Sequence, residues 1–480
     1  MDSAVNLLCH YRENKREAFR VRWIVRTFRV VFIAIHCLFI LHEYTSPAMS
    51  NYFLLIRPII VICIFSLAHP AWAQTTVPNS LTLNEAVQRA RQNHPLLVVA
   101  KQRTAMFEGE LIEAEMRPNP TLTISGENFP LDPPEGGFGF KRTIDWFAYF
   151  SHTVERGNKR ELRRANAERA INIARVEAEA LERQLVYEVK TAYQQAAIAR
   201  EKIDFLRENI NQLSQLVKLN EVRVNAGYTA EGDLIKTRLE AQRIEYAARK
   251  TMIEYDRAKI SLLKAMGENS FETDFDLAER LEFKTVSLNA VALQEAALRR
   301  SNIKVIEARL EKAQAGLRLE QALAKPDITA SFGYKRNGLD NALYGALNIP
   351  LPLFNKNQGN IARANSEILM IESELRFERA IVLAELTAAR RTVIANERQI
   401  EALRLEFLKN ADESQQVSLA AYREGATDLL HLIDAQRTRT EAQELYFQAL
   451  ADYQLSIHEL ERAAGIERLP AREIVKGDPK

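Results

Sequence analysis

Cysteine is nearly missing from this chain. Only Cys9, Cys37 and Cys63 occur in 480 residues, all near the N-terminus. The rest of the chain therefore has no disulfide framework and no thiolate metal site. Glycine and proline are scarce, and no proline occurs between Val154 and Pro326. That span lacks the residue that breaks helices most strongly. Charge of one sign is also lacking: the net charge is +2, and no basic stripe is interleaved with aromatics. A nucleic-acid partner is not expected. Long apolar runs are absent too. Val30–Leu41 holds about twelve apolar residues interrupted by His36, too few for a helical membrane span. No GxSxG, P-loop, HExxH or CxxC pattern occurs, so no enzyme chemistry is expected. His94, His152, His431 and His458 are scattered. They imply neither a metal site nor a cofactor.

What is present begins at Met49–Ala73, MSNYFLLIRPIIVICIFSLAHPAWA. It reads as a secretory signal, with Arg57 for charge, Ile59–Leu67 as a short apolar core and Ala71-Trp72-Ala73 as the cleavage motif. Cleavage before Gln74 leaves an exported chain without cysteine. Cys63 follows Ile62, where a lipoprotein signal needs a small residue, so lipid modification is not expected. Residues 1–48 read as an extension upstream of a true start at Met49.

The remainder is a duplicate. Leu83-Asn84-Glu85-Ala86-Val87 returns as Leu293-Gln294-Glu295-Ala296-Ala297, and RPNPTLTISG (Arg117–Gly126) returns as AKPDITASFG (Ala324–Gly333). Arg164–Glu168 returns as Arg363–Glu367, Gly227-Tyr228-Thr229 as Gly425-Ala426-Thr427, and Ala265-Met266-Gly267 as Ala463-Ala464-Gly465. Order is kept at an offset near 200 residues, which chance matches do not do. Each half reads helix, strand, strand, long helix, sharp turn, long helix. The domain reading is a first repeat over 74–267, with strands in 120–154 and a helical hairpin over 157–267. A linker occupies 268–290. The second repeat covers 291–465, with strands in 328–351 and a hairpin over 357–465, before a tail over 466–480.

The long helices carry a seam. Leu185, Val189, Ala192, Ala196, Ala199, Ile203, Leu206, Ile210, Leu213 and Val217 are spaced in steps of four and three without a break, the heptad rule of coiled coils. Leu386, Ala389, Val393, Asn396, Ile400, Leu403 and Phe407 repeat it more loosely. A helix from Gly157 to Val224 would run roughly 100 Å.

The strand pairs are Pro120–Phe129 with Thr143–Val154, joined by the loop Pro130–Phe140, and Ile328–Tyr334 with Ala342–Leu351. Four strands cannot close a barrel, because the smallest use about eight. An open edge in lipid would cost several kcal/mol per unpaired backbone group. Either the strands form a soluble sheet capping a helical bundle, or several chains pool them. Three chains give twelve strands and four give sixteen, both suited to outer-membrane barrels. In that case Trp146, Phe147, Tyr149, Phe150, Phe332 and Tyr344 are candidates for lipid-facing or interfacial positions.

Over Leu81–Gly465 the chain resembles the TolC-type outer-membrane efflux channels. The resemblance rests on the paired LxEA openings, the proline-led strands, the strand-to-helix joints and the tip turns. Glu127-Asn128-Phe129, together with Glu155-Arg156-Gly157-Asn158-Lys159-Arg160, is most similar to the outer-membrane members of cobalt–zinc–cadmium resistance pumps. The resemblance implies a mainly α fold with a small β part. Each protomer of a homotrimer would give four strands to a twelve-stranded barrel and long hairpins to an α-helical tunnel. It implies a passive exit duct in the outer membrane, reaching into the periplasm, for heavy-metal cations. Its partners would be outer-membrane lipid, a periplasmic adaptor (membrane fusion) protein and an inner-membrane RND pump. A drug-efflux or type I secretion duct is the alternative. A periplasmic adaptor would have one hairpin within β-rich lipoyl-like segments, and a soluble coiled-coil scaffold would extract without detergent.

The resemblance also implies sites. Val224, Asn225, Ala226, Gly227, Tyr228 and Thr229, with Arg423, Glu424, Gly425, Ala426 and Thr427, match the turns that meet the adaptor. Gly227 and Gly425 permit the tight backbone such turns need. Asp233 and Asp434 match acidic positions of the tunnel constriction. His431 stands where the best-known member has a second aspartate.

Overall fold

The computed structural model describes residues 80–129, 144–338 and 340–470. The signal segment, the three cysteines and the loop Pro130–Phe140 lie outside the described residues. No helix among the described residues is long and apolar enough to cross a membrane.

The first half starts with β1 (Ser80–Leu81), α1 (Leu83–Asn93) and α2 (Pro95–Glu115). Thr82 caps α1: its hydroxyl accepts from the Glu85 N–H while the Glu85 carboxylate accepts from the Thr82 N–H, which satisfies two orphan donors at once. Pro95 ends α1 and opens α2, since proline tolerates the first helical position and pushes its predecessor His94 into extended backbone. Strands β2 (Thr121–Glu127) and β3 (Asp145–Val154) come next. Helix α3 (Lys159–Asn225) is 67 residues long, about 100 Å, and α4 (Glu231–Met266) returns beside it.

The segment after α4 holds β4 (Asp276–Leu277), which pairs in parallel with β1. The second half has α5 (Ala290–Ala297), α6 (Ser301–Leu323), β5 (Ile328–Asn337) and β6 (Asp340–Asn348). Its hairpin runs up as α7 (Gln358–Ala402), a π-helical turn (Leu403–Phe407) and α8 (Leu408–Glu424), and returns as α9 (Leu429–Ala464). Each half therefore opens with two helices rather than one. Strand β6 ends three residues short of Leu351, at Asn348, just before Pro350 and Pro352.

The heptad seam of α3 is buried at every position except Ile210 and Val217, which are half-buried. The second seam is buried at Leu386, Ala389, Val393 and Ile400 and then fails: Phe407 is exposed. The cause is the π-helical turn. In it the Leu408 N–H bonds the Leu403 carbonyl, five residues back, which inserts a residue and rotates the rest of the helix. Burial resumes at Ala411, Gln415 and Tyr422.

Three large apolar clusters form most of the core. One joins α1, α3 and the end of α4 around Leu81, Val189, Leu262 and Leu277. Its second-half counterpart gathers Ile303, Val382, Val393 and Leu460. The third lies near the tips, with Phe205, Leu213, Leu432 and Phe447. The segment between the halves is stitched to both by buried tyrosines. The Tyr193 hydroxyl accepts from the Glu279 N–H at 3.4 Å, and the Tyr453 hydroxyl donates to the Lys284 carbonyl at 3.0 Å. Burial pushes both phenols up to about 12.

Candidate functional site

The four longer strands form one antiparallel sheet in the order β2-β3-β5-β6. Its register sorts the side chains onto two faces. Leu122, Phe150 and Phe332 stand in one row, and Ile124, Ala148, Tyr334 and Leu343 in the next. All of these are exposed. The other face pairs Ser151 with Ser331 and Thr153 with Thr329 through hydroxyl–hydroxyl hydrogen bonds of 2.9 and 3.0 Å. It also carries Tyr149 against Tyr344, with ring centroids 5.0 Å apart, and the Lys335 ammonium 4.5 Å from the Phe147 ring centroid. One face is apolar and open, the other polar and internally bonded.

This divides the six aromatics marked in the sequence. Trp146, Phe150 and Phe332 share the apolar face. Phe147, Tyr149 and Tyr344 sit on the polar one, opposite the exposed apolar face, so of the two positions expected for them the lipid-facing one does not fit. The two tyrosines close over Gly333, where a Cβ would lie 2.2 Å from the Ala148 carbonyl. Strands β2 and β6 each pair on one side only.

The strand-to-helix joints explain the motif at 155–160. Gly157 and Asn158 take positive φ, as Asn357 does before α7. Asn tolerates that region better than most residues. Asp327 accepts from the Arg156 N–H and from the buried Lys159 ammonium, the latter at 2.7 Å. Asn357 donates to the Glu320 carbonyl.

At the far end of the hairpins the two turns have the same build. The Tyr228 N–H bonds the Arg223 carbonyl and the Ala426 N–H bonds the Ala421 carbonyl, both at 2.8 Å. Gly227 and Gly425 adopt φ of 77° and 75°, the left-handed helix end that glycine serves best. The structure brings the two turns together. Arg223 donates to the carbonyls of Tyr422 and Arg423, and its guanidinium lies 5.0 Å from the Tyr422 ring centroid. Beneath them Asn220 is fully buried and bonds both the Tyr422 hydroxyl and Thr237. Sequence reading missed Asn220, Arg223, Thr237 and Tyr422. The visible signal was an Asn on a buried helix face. Val224, Asn225, Ala226, Thr229, Glu424 and Thr427 complete the turns, and Tyr228 projects with 84% of its surface exposed.

Of the residues assigned to the constriction, His431 and Asp434 lie one turn apart on α9, both exposed. Asp428 caps that helix by accepting from the His431 N–H at 3.0 Å. Asp233 sits in the first turn of α4, with the Lys236 ammonium 3.6 Å away. Behind Asp434, Arg437 reaches the buried Glu240 carboxylate at 2.7 Å. Hydrogen bonding to Glu240 raises the Arg437 pKa above its ordinary value. No group of three or more His, Cys, Asp or Glu among the described residues is placed to hold a metal ion.

The chain matches the family model described as outer membrane efflux protein over residues 86–268 and 292–466. It is 24% identical over 389 residues to the cobalt-zinc-cadmium resistance protein CzcC of Cupriavidus metallidurans, covering 80% of this chain and 90% of that one. It is also 24% identical over 422 residues to the pyoverdine export outer membrane protein OpmQ of Pseudomonas aeruginosa, covering 82% of each. Among solved structures, the CusC channel superposes with a TM-score of 0.66 at 18% identity, over 84% of this chain and 96% of that chain.

Proposed function

Because the chain belongs to the outer membrane efflux protein family, we propose that it is the exit duct of a tripartite efflux pump for heavy-metal cations. It works as a homotrimer with a periplasmic adaptor and an inner-membrane RND pump. The family consists of passive outer-membrane channels rather than enzymes. The chain accordingly resides in the outer membrane and reaches into the periplasm.

The observation that carries the reading is the sheet. Its apolar face is exposed, its polar face is bonded within, and its two edges are unpaired. An unpaired edge is untenable in lipid. Three copies joined edge to edge give twelve strands and leave none. The polar face then lines the lumen, as in other membrane barrels. Selectivity in this reading comes from His431 and Asp434, three copies of each around one axis, which favour cations through charge and imidazole. Asp233 contributes less field because Lys236 offsets it. The tips 224–229 and 423–427 receive the adaptor.

The metal substrate draws support from the relative CzcC and from the motif at Glu155–Arg160. A duct for organic compounds is the second reading, supported by the relative OpmQ at the same identity. The sensitivity profile of a deletion strain separates them. Hypersensitivity to cobalt, zinc or cadmium, restored by the wild-type gene, is expected. Sensitivity to organic compounds alone, with metal tolerance unchanged, would overturn the metal assignment.

A further inference from the structure

All four connections between the sheet and the helices lie at one end of the sheet. The register places Thr121, Val154, Ile328 and Asn348 there. Each connection carries one exposed cation: Arg117 before β2, Arg156 after β3, Lys325 before β5 and Lys356 after β6. The nearby carboxylates serve other cations. Asp327 holds Lys159, Glu155 holds Arg163, Glu115 holds Arg164 and Glu320 holds Arg363. Among the described residues, the side chains of Arg117, Arg156, Lys325 and Lys356 have no carboxylate partner.

Beside these cations runs Ile349-Pro350-Leu351-Pro352-Leu353-Phe354, continuous with the apolar face of the sheet. Leu351, Leu353 and Phe354 are 75, 71 and 93% exposed. Part of its backbone needs no outside partner. Pro350 and Pro352 have no N–H to leave unsatisfied, and the Leu353 N–H bonds the Leu351 carbonyl at 2.8 Å. An apolar segment next to unpaired cations and contiguous with a membrane wall, with the Leu351 and Phe354 N–H groups left for headgroups, matches the chemistry of an anionic bilayer surface.

We propose that this joint is a phospholipid collar, in which the side chains of Leu351, Leu353 and Phe354 dip into the acyl boundary while their backbone stays at headgroup level, and Arg117, Arg156, Lys325 and Lys356 hold anionic headgroup phosphates. The inference rests on the sheet being the membrane wall. Three copies would ring the periplasmic rim of the barrel with twelve cations. The collar fixes the depth of the channel, and therefore how far its tips reach toward the inner membrane.

Native mass spectrometry of the full-length protein, released from detergent with phosphatidylglycerol or phosphatidylcholine, tests the headgroup contact. The wild type should retain phosphatidylglycerol in preference. The quadruple variant R117Q/R156Q/K325Q/K356Q should lose that preference, with binding weakened on the order of fivefold per cation. Equal retention of the two lipids by the wild type would overturn the collar. For the apolar segment, Phe354→Trp in a Trp146→Phe background should be quenched by brominated phosphatidylglycerol. Unquenched emission from intact trimers places the segment against a neighbouring copy and sinks the collar, leaving the barrel reading standing. Recovery of the wild type without detergent would sink both.

Discussion

The Tyr422 hydroxyl donates to Asn220 Oδ1 at 2.6 Å, and so ties the last turn of α8 to the last turns of α3. The amide of Asn220 in turn donates to Thr237 Oγ1 at 2.8 Å, whose hydroxyl donates to the Asp233 carbonyl. One buried asparagine thus links three helices. Tyr422→Phe removes one donor and leaves a buried acceptor bare, at about 1–3 kcal/mol. The expected result is faster amide exchange over 218–226 and 420–426, with trimer yield unchanged. Unaltered exchange there would mean that the network does not hold the tips.

Gly227 and Gly425 have open space around the position of a Cβ, so a larger side chain meets no clash. The penalty is backbone strain alone, about 1–2 kcal/mol each. Gly227→Leu with Gly425→Leu should therefore still give membrane trimers, while efflux is lost because the adaptor meets an altered surface. Full resistance in the double variant would remove the docking role of these turns.

His431 and Asp434 are exposed one turn apart on α9, where none of the described residues covers them. Single-channel conductance and cation preference should change in His431→Ala, because three imidazoles leave the pore lining. Conductance should also respond to added zinc only when His431 is present. Conductance that is blind to zinc and to the substitution would exclude a constriction at this turn.

Glu461 accepts from the Lys190 ammonium, His458 Nδ1 and the Leu469 N–H at 2.8, 3.1 and 3.0 Å. Burial pushes its carboxyl up, but the His458 and Lys190 contacts outweigh burial and leave it below the usual glutamate range. Folding therefore favours the ionised form. The contribution is full above the unfolded value of about 4.3 and fades as pH falls through the lower folded value. Thermal stability should drop below about pH 4, and Glu461→Gln should lose stability at pH 7 while flattening that acid slope. An unchanged slope in the variant would place the acid-sensitive group elsewhere.

Much of this was legible because the signals are local and periodic. The α3 seam keeps an unbroken heptad, and the structure ends that helix at Asn225, one residue beyond the end expected from sequence. The sheet was readable from alternation, but alternation has two phases. It could not say that Tyr149 and Tyr344 share the polar face, because that depends on register with β5. The β1–β4 pairing joins Leu81 to Leu277, and no short-range pattern announces a contact across that separation. The helix break at His94-Pro95 did have a signal, a proline at a first helical position. The tip network had only the burial of Asn220, which requires knowing what packs opposite.

The π-helical turn at Leu403–Phe407 has no counterpart in α3. One inserted residue corresponds to about 100° of rotation about a helix axis. The ascending arms Lys159–Asn225 and Gln358–Glu424 nevertheless span the same number of residues, so the turn shifts the helical phase of the second arm without lengthening it. Ancestral symmetry survives in the layout and length of the arms, while the side turned inward near each tip is set separately in each half.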